Sequence, residues 1–153
     1  MSIEVKISKN TISYKKAMFT LEKRVEDVKN GKKKEFLWIL EHPTTYTGGL
    51  RSNKNEILDR NVKIIKTNRG GKITLHNPGQ KIIYFVINLN KRKKDIRLLV
   101  KILENSVIEL LKLYKIKAYS DKKNIGIWVK NKKISAIGIR VKRWIAYHGC
   151  SIN

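Results

Sequence analysis

Arg69-Gly70-Gly71-Lys72-Ile73-Thr74-Leu75-His76-Asn77-Pro78-Gly79-Gln80 runs directly into Lys81-Ile82-Ile83-Tyr84-Phe85-Val86-Ile87. The second half, residues 82–87, reads as a central strand that is apolar on both faces. The first half carries two adjacent glycines, whose N–H groups can reach a phosphate or carbonyl oxygen. It lacks the closing Gly-Lys-Ser/Thr of a nucleoside-triphosphate loop, and it is not the G-x-G-x-x-G turn of dinucleotide sites. From the residues alone it is a backbone-donor loop with Arg69 and His76 at its ends.

Upstream of this segment, Ile3–Ile7 alternates as a short strand, and Phe36–Leu40 has the length and composition of a buried one. Between them Tyr14, Met18, Leu21, Val25 and Val28 recur every three or four residues, one apolar face of a helix closed by Asn30-Gly31. Residues 41–55 are rich in turn formers, and Val62–Ile65 is a further short strand. Downstream, Asp95 can cap a long helix bearing Ile96, Leu99, Val100, Leu103, Val107, Leu110 and Leu111. Ile125–Val129 and Ile134–Val141 form a hairpin about Lys130-Asn131-Lys132, and Trp144–His148 adds one more strand. The expected fold class is α+β, a mixed and largely antiparallel sheet with two main helices in one domain over residues 1–153.

The chain has 153 residues, a formal charge of +23 and one cysteine. A single cysteine excludes a disulfide framework and a cysteine-based zinc site. No apolar run approaches the ~18 residues needed to cross a bilayer, and no secretory leader is visible at the N-terminus. A soluble, cytoplasmic protein that makes no use of a membrane is the expectation. The positive charge comes from 27 Lys and only 8 Arg, scattered without a basic tail, alongside 22 Ile and 13 Asn. That pattern fits compositional drift better than nucleic-acid recognition, which relies on arginine and interleaved aromatics. A basic surface that steers acidic proteins fits it as well.

The scarce residue types cluster. His42, His76 and His148 each have Gly or Pro within three positions. A site built from converging loops has this signature, because glycine admits close approach while histidine supplies a polar tip.

Three segments together resemble the lipoyl(octanoyl) transferases, the octanoyl-[acyl-carrier-protein]–protein transferases of lipoate synthesis. Residues 69–80 are similar to that family's RGG-x-x-T-x-HGPGQ signature, with Asn77 in place of Gly. Leu40–Gly49 resembles LEHPxxYTxG. Lys133–Val141 followed by Tyr147–Asn153 resembles KIAxxGxRV…HGxxxN, and Gly126-Ile127-Trp128 matches the strand just before. The resemblance implies the fold of the biotin and lipoate protein ligases. It also implies transfer without ATP or any other cofactor, since the ATP-using ligases lack the His-x-Pro-Gly-Gln continuation.

The implied chemistry has two steps. A cysteine thiolate takes an octanoyl group from the phosphopantetheine thioester of acyl carrier protein. A lysine of a lipoyl domain, in 2-oxoacid dehydrogenase complexes or glycine cleavage H protein, then takes it as an amide. The resemblance assigns Lys133 as the cation that favours the thiolate. The residues alone do not choose between Lys133 and Lys132, which strand alternation puts on opposite faces. By the same carry-over, Arg69, Gly70, Gly71, Lys72, Ile73, Thr74, Leu75 and His76 line the acyl pocket. So do Ala136, Ile137 and Gly138, together with His148, Gly149 and Cys150. No metal ligand is implied, and a monomer is expected.

The family's nucleophile lies in a Pro-Cys-Gly turn more than a dozen residues beyond HGxxxN, whereas this sequence stops at Asn153. The expectation is an incomplete catalytic domain with little or no transferase activity. Cys150 is expected to pack as a small apolar residue and not to substitute for that nucleophile.

Overall fold

A computed structural model describes residues 2–59 and 61–153. Strand β1 (Ile3–Ile7) leads to helix α1 (Tyr14–Lys29), then β2 (Glu35–Leu40) and β3 (Thr45–Gly48). After β4 (Ile64–Lys66), β5 (Ile73–His76) and β6 (Lys81–Asn88) comes α2 (Ile96–Leu113). The chain closes with β7 (Tyr119–Ser120), β8 (Ile127–Val129), β9 (Lys132–Lys142) and β10 (Ile145–Ile152).

The strands form two sheets. The large one runs β1-β2-β6-β10-β9-β8-β7, antiparallel except for the β1–β2 pair. The small one runs β4-β3-β5, with β4 parallel and β5 antiparallel to β3. The α+β architecture, with two helices of at least four turns, is as the apolar patterning predicts.

Each helix forms for a legible reason. The Ser13 side chain accepts a hydrogen bond from the Lys16 N–H at the start of α1, and Gly31 turns the chain away at φ 69°. The Asp95 carboxylate accepts from the Leu98 N–H at the start of α2. One sheet face packs on α1 through Ala17, Leu21, Val25 and Val28 against Trp38, Leu40, Ile82, Tyr84 and Tyr147. The other packs on α2, where Leu99 meets Phe85 and Ala146, and Val107 and Leu111 meet Ile127 and Cys150. Both faces of β6 are therefore covered, which is why residues 82–87 are continuously apolar. Burying each large side chain here stabilises the fold by roughly 1.5–3 kcal/mol.

Two hairpins bring the last three long strands side by side. Lys130 and Asn131 have φ of 46° and 63°, and Arg143 and Trp144 have 51° and 64°. Positive φ at both central residues matches the twist of the flanking strands.

The structure corrects several element boundaries. Residues 41–55 and 69–80 are not turns throughout: they contain β3 and β5. Each is only four residues long, too short for its pattern to declare a strand, and each is stabilised by pairing with the other (Thr47 opposite Thr74), a contact no local pattern reveals. The strand expected at 62–65 is shifted to 64–66, β7 is additional, and Trp144 belongs to a turn while its strand continues to Ile152.

Candidate active site

A cavity of about 1000 Å³ opens between the 69–80 segment, the β9–β10 hairpin and the 121–126 loop. Every residue that the resemblance assigns to the acyl pocket lines it. Arg69 through His76 form one wall, Ala136, Ile137 and Gly138 another, and His148, Gly149 and Cys150 the floor beside Ile82 and Tyr84. Lys133 lines the same cavity, and Lys132 does not.

Glycines set how closely the walls meet. A Cβ on Gly149 would lie 1.9 Å from the Ile83 carbonyl oxygen, so only glycine fits where β10 crosses β6. A Cβ on Gly138 would lie 3.0 Å from the Gly70 carbonyl oxygen. The Gly70 N–H in turn donates to the Ile139 carbonyl (3.2 Å), which docks the 69–71 turn on β9.

Arg69 braces this turn from inside. Its guanidinium donates to the carbonyls of Gly70 (2.9 Å), Lys72 (3.0 Å) and Thr47 (3.0 Å), and to Thr47 Oγ1 (2.8 Å). The 41–49 segment, whose His42 the sequence marked, stands behind the cavity and does not line it. A Cβ on Gly49 would lie 2.4 Å from the Gly71 carbonyl oxygen, so this segment backs the loop directly.

Lys133 Nζ donates to the Ile125 carbonyl (3.0 Å) and sits 4.9 Å from the centre of the Trp128 ring. The ammonium is thereby held over the cavity by backbone and aromatic contacts.

Three neutral imidazoles lie in or behind the cavity. His42 Nδ1 is 2.6 Å from the Ile12 carbonyl oxygen, so it carries the proton. His42 Nε2 then accepts from the Tyr84 hydroxyl (2.9 Å). His76 Nδ1 donates to Gln80 Oε1 (2.7 Å), while Gln80 Nε2 donates to Asn153 Oδ1 (2.7 Å). Burial pushes the His76 pKa down to about 4, against the opposing pull of the Gln80 bond.

His148 is 1% exposed and has φ 71°, a left-handed conformation that is uncommon for a non-glycine residue. Its Nε2 donates to Asn68 Oδ1 (2.7 Å), and its Nδ1 is buried without a partner. Burial, then the charges of Arg69 and Arg140, push its pKa down to about 3.

Cys150 is 6% exposed and packs with Val107, Leu111 and Ile127. Burial pushes its thiol up to about 12, so at neutral pH it is a protonated, poor nucleophile.

Several cavity residues carried no sequence signal: Arg51, Tyr84, Lys122, Lys123, Asn124 and Ile125. Tyr84 was hidden in an apolar run and Ile125 in an expected strand, and the others are ordinary polar loop residues until the fold brings them together. Among the described residues no group of three His, Cys, Asp or Glu is arranged to hold a metal ion. None of their helices is long and apolar enough to cross a membrane.

Comparison with known proteins places this geometry. Residues 13–153 match the model for the lipoyl protein ligase A/B catalytic domain. An octanoyltransferase of Ehrlichia chaffeensis is 44% identical over 99% of this chain and 73% of its own length. One from the Wolbachia of Brugia malayi is 40% identical over 99% and 76%. The chain thus spans about three quarters of these relatives. Among solved structures, a Thermoplasma acidophilum protein with bound lipoic acid superposes with a TM-score of 0.80 at 14% identity, covering 99% of this chain and 68% of that one. A bipartite lipoate protein ligase from the same organism gives 0.73 at 13%, covering 99% and 61%. At such identities the structural likeness concerns the fold, whereas the curated relatives speak to the activity. The chain belongs to the lipoyl protein ligase A/B catalytic-domain family and, within it, to the acyltransferases that transfer octanoyl groups.

Proposed function

We propose that the cavity receives the octanoyl chain from the thioester of octanoyl-acyl carrier protein and presents it to a lysine of a lipoyl domain. The acceptors on this reading are the lipoyl domains of 2-oxoacid dehydrogenase complexes and glycine cleavage H protein. The observation that carries the proposal is the convergence of Gly70-Gly71, Gly138, Gly149 and Lys133 on one cavity. A thioester is already activated for acyl transfer, so the reaction consumes no ATP and needs no cofactor.

Each residue has a physical task in this scheme. Gly70, Gly71 and Gly138 keep the wall free of side chains, so that the backbone can approach the thioester closely, although the Gly70 N–H itself is taken by the Ile139 carbonyl. Lys133 stabilises a thiolate and then the departing sulfur. The hydrogen bonds of Arg69 hold the 69–72 turn in shape, which makes it a positioning residue. His76 and His148 are neutral at physiological pH and act as hydrogen-bonding groups, not as cations.

The nucleophilic thiolate in this scheme is not Cys150, whose thiol is buried among apolar side chains. Residues 1–153 by themselves are therefore expected to bind the acyl group without forming an acyl-enzyme. The test is native and denaturing mass spectrometry with octanoyl-pantetheine. The expected result is a one-to-one complex that dissociates on denaturation and is lost in Gly138→Val. Absence of any complex overturns the acyl-binding reading. A covalent octanoyl adduct that disappears in Cys150→Ser overturns the assignment of Cys150.

A further inference from the structure

Among the described residues, six basic ones line the cavity: Arg51, Arg69, Lys72, Lys122, Lys123 and Lys133. None of the described Asp or Glu residues lines it. An octanoyl thioester is neutral, and the accepting amine is repelled by positive charge, so the proposed transfer does not itself call for this lining.

Three of the six are accounted for by contacts within the protein. Arg69 donates to Thr47, Gly70 and Lys72, the Lys72 ammonium pairs with Glu56, and Lys133 donates to Ile125. Arg51, Lys122 and Lys123 are exposed and have no charged partner among the described residues.

Their backbone is fixed even though their charges are free. The Arg51 N–H donates to the Gly71 carbonyl (3.0 Å), tying it to the glycine turn. In the second loop, Asp121 accepts from the Lys123 N–H (2.8 Å) and from Asn124 Nδ2 (3.1 Å). Trp128 Nε1 donates to the Asn124 carbonyl (2.9 Å). Gly126 follows at φ 140°, where a Cβ would lie 2.6 Å from the Ser135 carbonyl oxygen. Two braced loops thus present unpaired cations to one cavity.

We propose that Arg51, Lys122 and Lys123 form the docking contacts for an acidic surface of the protein that delivers the acyl group. This rests on the donor being protein-borne, as proposed above. The arrangement suits a broad acidic face. Two of the three charges are hydrated, flexible ammonium groups spread over separate loops, not a bidentate fork converging on one phosphate. Among the described residues no exposed aromatic ring lines the cavity on which a nucleic-acid base could stack. Charges at the edge of an interface accelerate encounter and make it salt-sensitive.

The test measures binding of residues 1–153 to octanoyl-acyl carrier protein and, separately, to octanoyl-pantetheine. The rim variant is Arg51→Glu/Lys122→Glu/Lys123→Glu. A control of equal charge change away from the cavity is Lys32→Glu/Lys101→Glu/Lys117→Glu. The rim variant is expected to lose at least about tenfold in affinity for the carrier protein and much of its salt dependence, and the control less than about threefold. Octanoyl-pantetheine is expected to bind both variants as it binds the parent. Equal losses in the two variants, or a matching loss toward octanoyl-pantetheine, overturn the docking assignment. So does a random oligonucleotide that binds the parent more tightly than the carrier protein and is released by the rim substitutions. If octanoyl-pantetheine fails to bind the parent, the acyl reading itself fails. If the parent binds it and the rim variant keeps full carrier affinity, only the docking inference fails.

Discussion

Arg69 and Thr47, 22 residues apart in sequence, are joined twice: Arg69 Nη2 donates to the Thr47 carbonyl (3.0 Å) and to its hydroxyl (2.8 Å). With the other guanidinium nitrogen on Gly70 and Lys72, one side chain locks the small sheet to the glycine turn. Arg69→Ala is therefore expected to destabilise the fold by about 3 kcal/mol, because buried acceptors lose charged donors. Arg69→Lys is expected to recover less than half of that, since an ammonium cannot span both acceptor pairs. Urea unfolding of the three proteins checks both statements.

Gly149 and Gly79 give opposite expectations for the same substitution. Alanine at 149 would meet the Ile83 carbonyl oxygen at 1.9 Å, within the most central strand pair. Separating β10 from β6 opens the core, and Gly149→Ala is expected to cost more than about 3 kcal/mol or to prevent folding. Alanine at 79 meets nothing within 4 Å, so only its φ of 91° opposes it. Gly79→Ala is expected to cost about 1 kcal/mol and to leave a cooperative thermal transition. Comparable melting temperatures for the two would contradict the close approach at 149.

How far the sequence reached depended on the range of the interaction. The helices and β6 were legible because their apolar spacing is local and their caps, Asp95 and Asn30-Gly31, are near neighbours. The glycine loop was legible through its composition and its family resemblance, and residues 69–76 do line the cavity. Strands β3 and β5 were not, since each spans four residues and is held by pairing with strands distant in sequence, β3 with both β4 and β5. His42 reaches the site only indirectly, its ring lying 5.4 Å from that of His76, which lines the cavity. Its companion proline marked a special backbone, but nothing local shows that the ring faces Tyr84 behind the cavity instead of the cavity itself. Choosing Lys133 over Lys132 needed the resemblance, and the fold places only Lys133 on the cavity.

The buried histidines make stability sensitive to acid. In the unfolded chain a histidine titrates near 6.5. In the fold His76 is held down to about 4, by burial first, and His148 to about 3, by burial and then by Arg69 and Arg140. Between these values the unfolded chain binds more protons, so stability falls as pH drops. Their contribution is complete above about pH 6.5 and is lost progressively toward pH 4 and below. His76 alone accounts for a loss on the order of 3 kcal/mol at about 1.4 kcal/mol per pH unit. Urea midpoints are expected to fall steadily from pH 7 to pH 4, and the slope is expected to be shallower in His76→Gln. An identical slope in that variant would remove His76 from the account.

The thiol of Cys150 offers the sharpest chemical check. Its thiolate is disfavoured by burial, with the pKa pushed up to about 12, and its neighbours Val107, Leu111 and Ile127 offer no charge to compensate. Reaction with a disulfide reagent requires both thiolate and access. At pH 8 the native chain is expected to react at least about a hundredfold more slowly than the urea-unfolded chain, whose thiol has a pKa near 8.5. Cys150→Ala removes one sulfur from a packed site and is expected to cost about 1 kcal/mol. Rapid labelling of the folded protein would mean that the cavity floor opens at Cys150, and the thiol would then have to be reconsidered as an acyl acceptor.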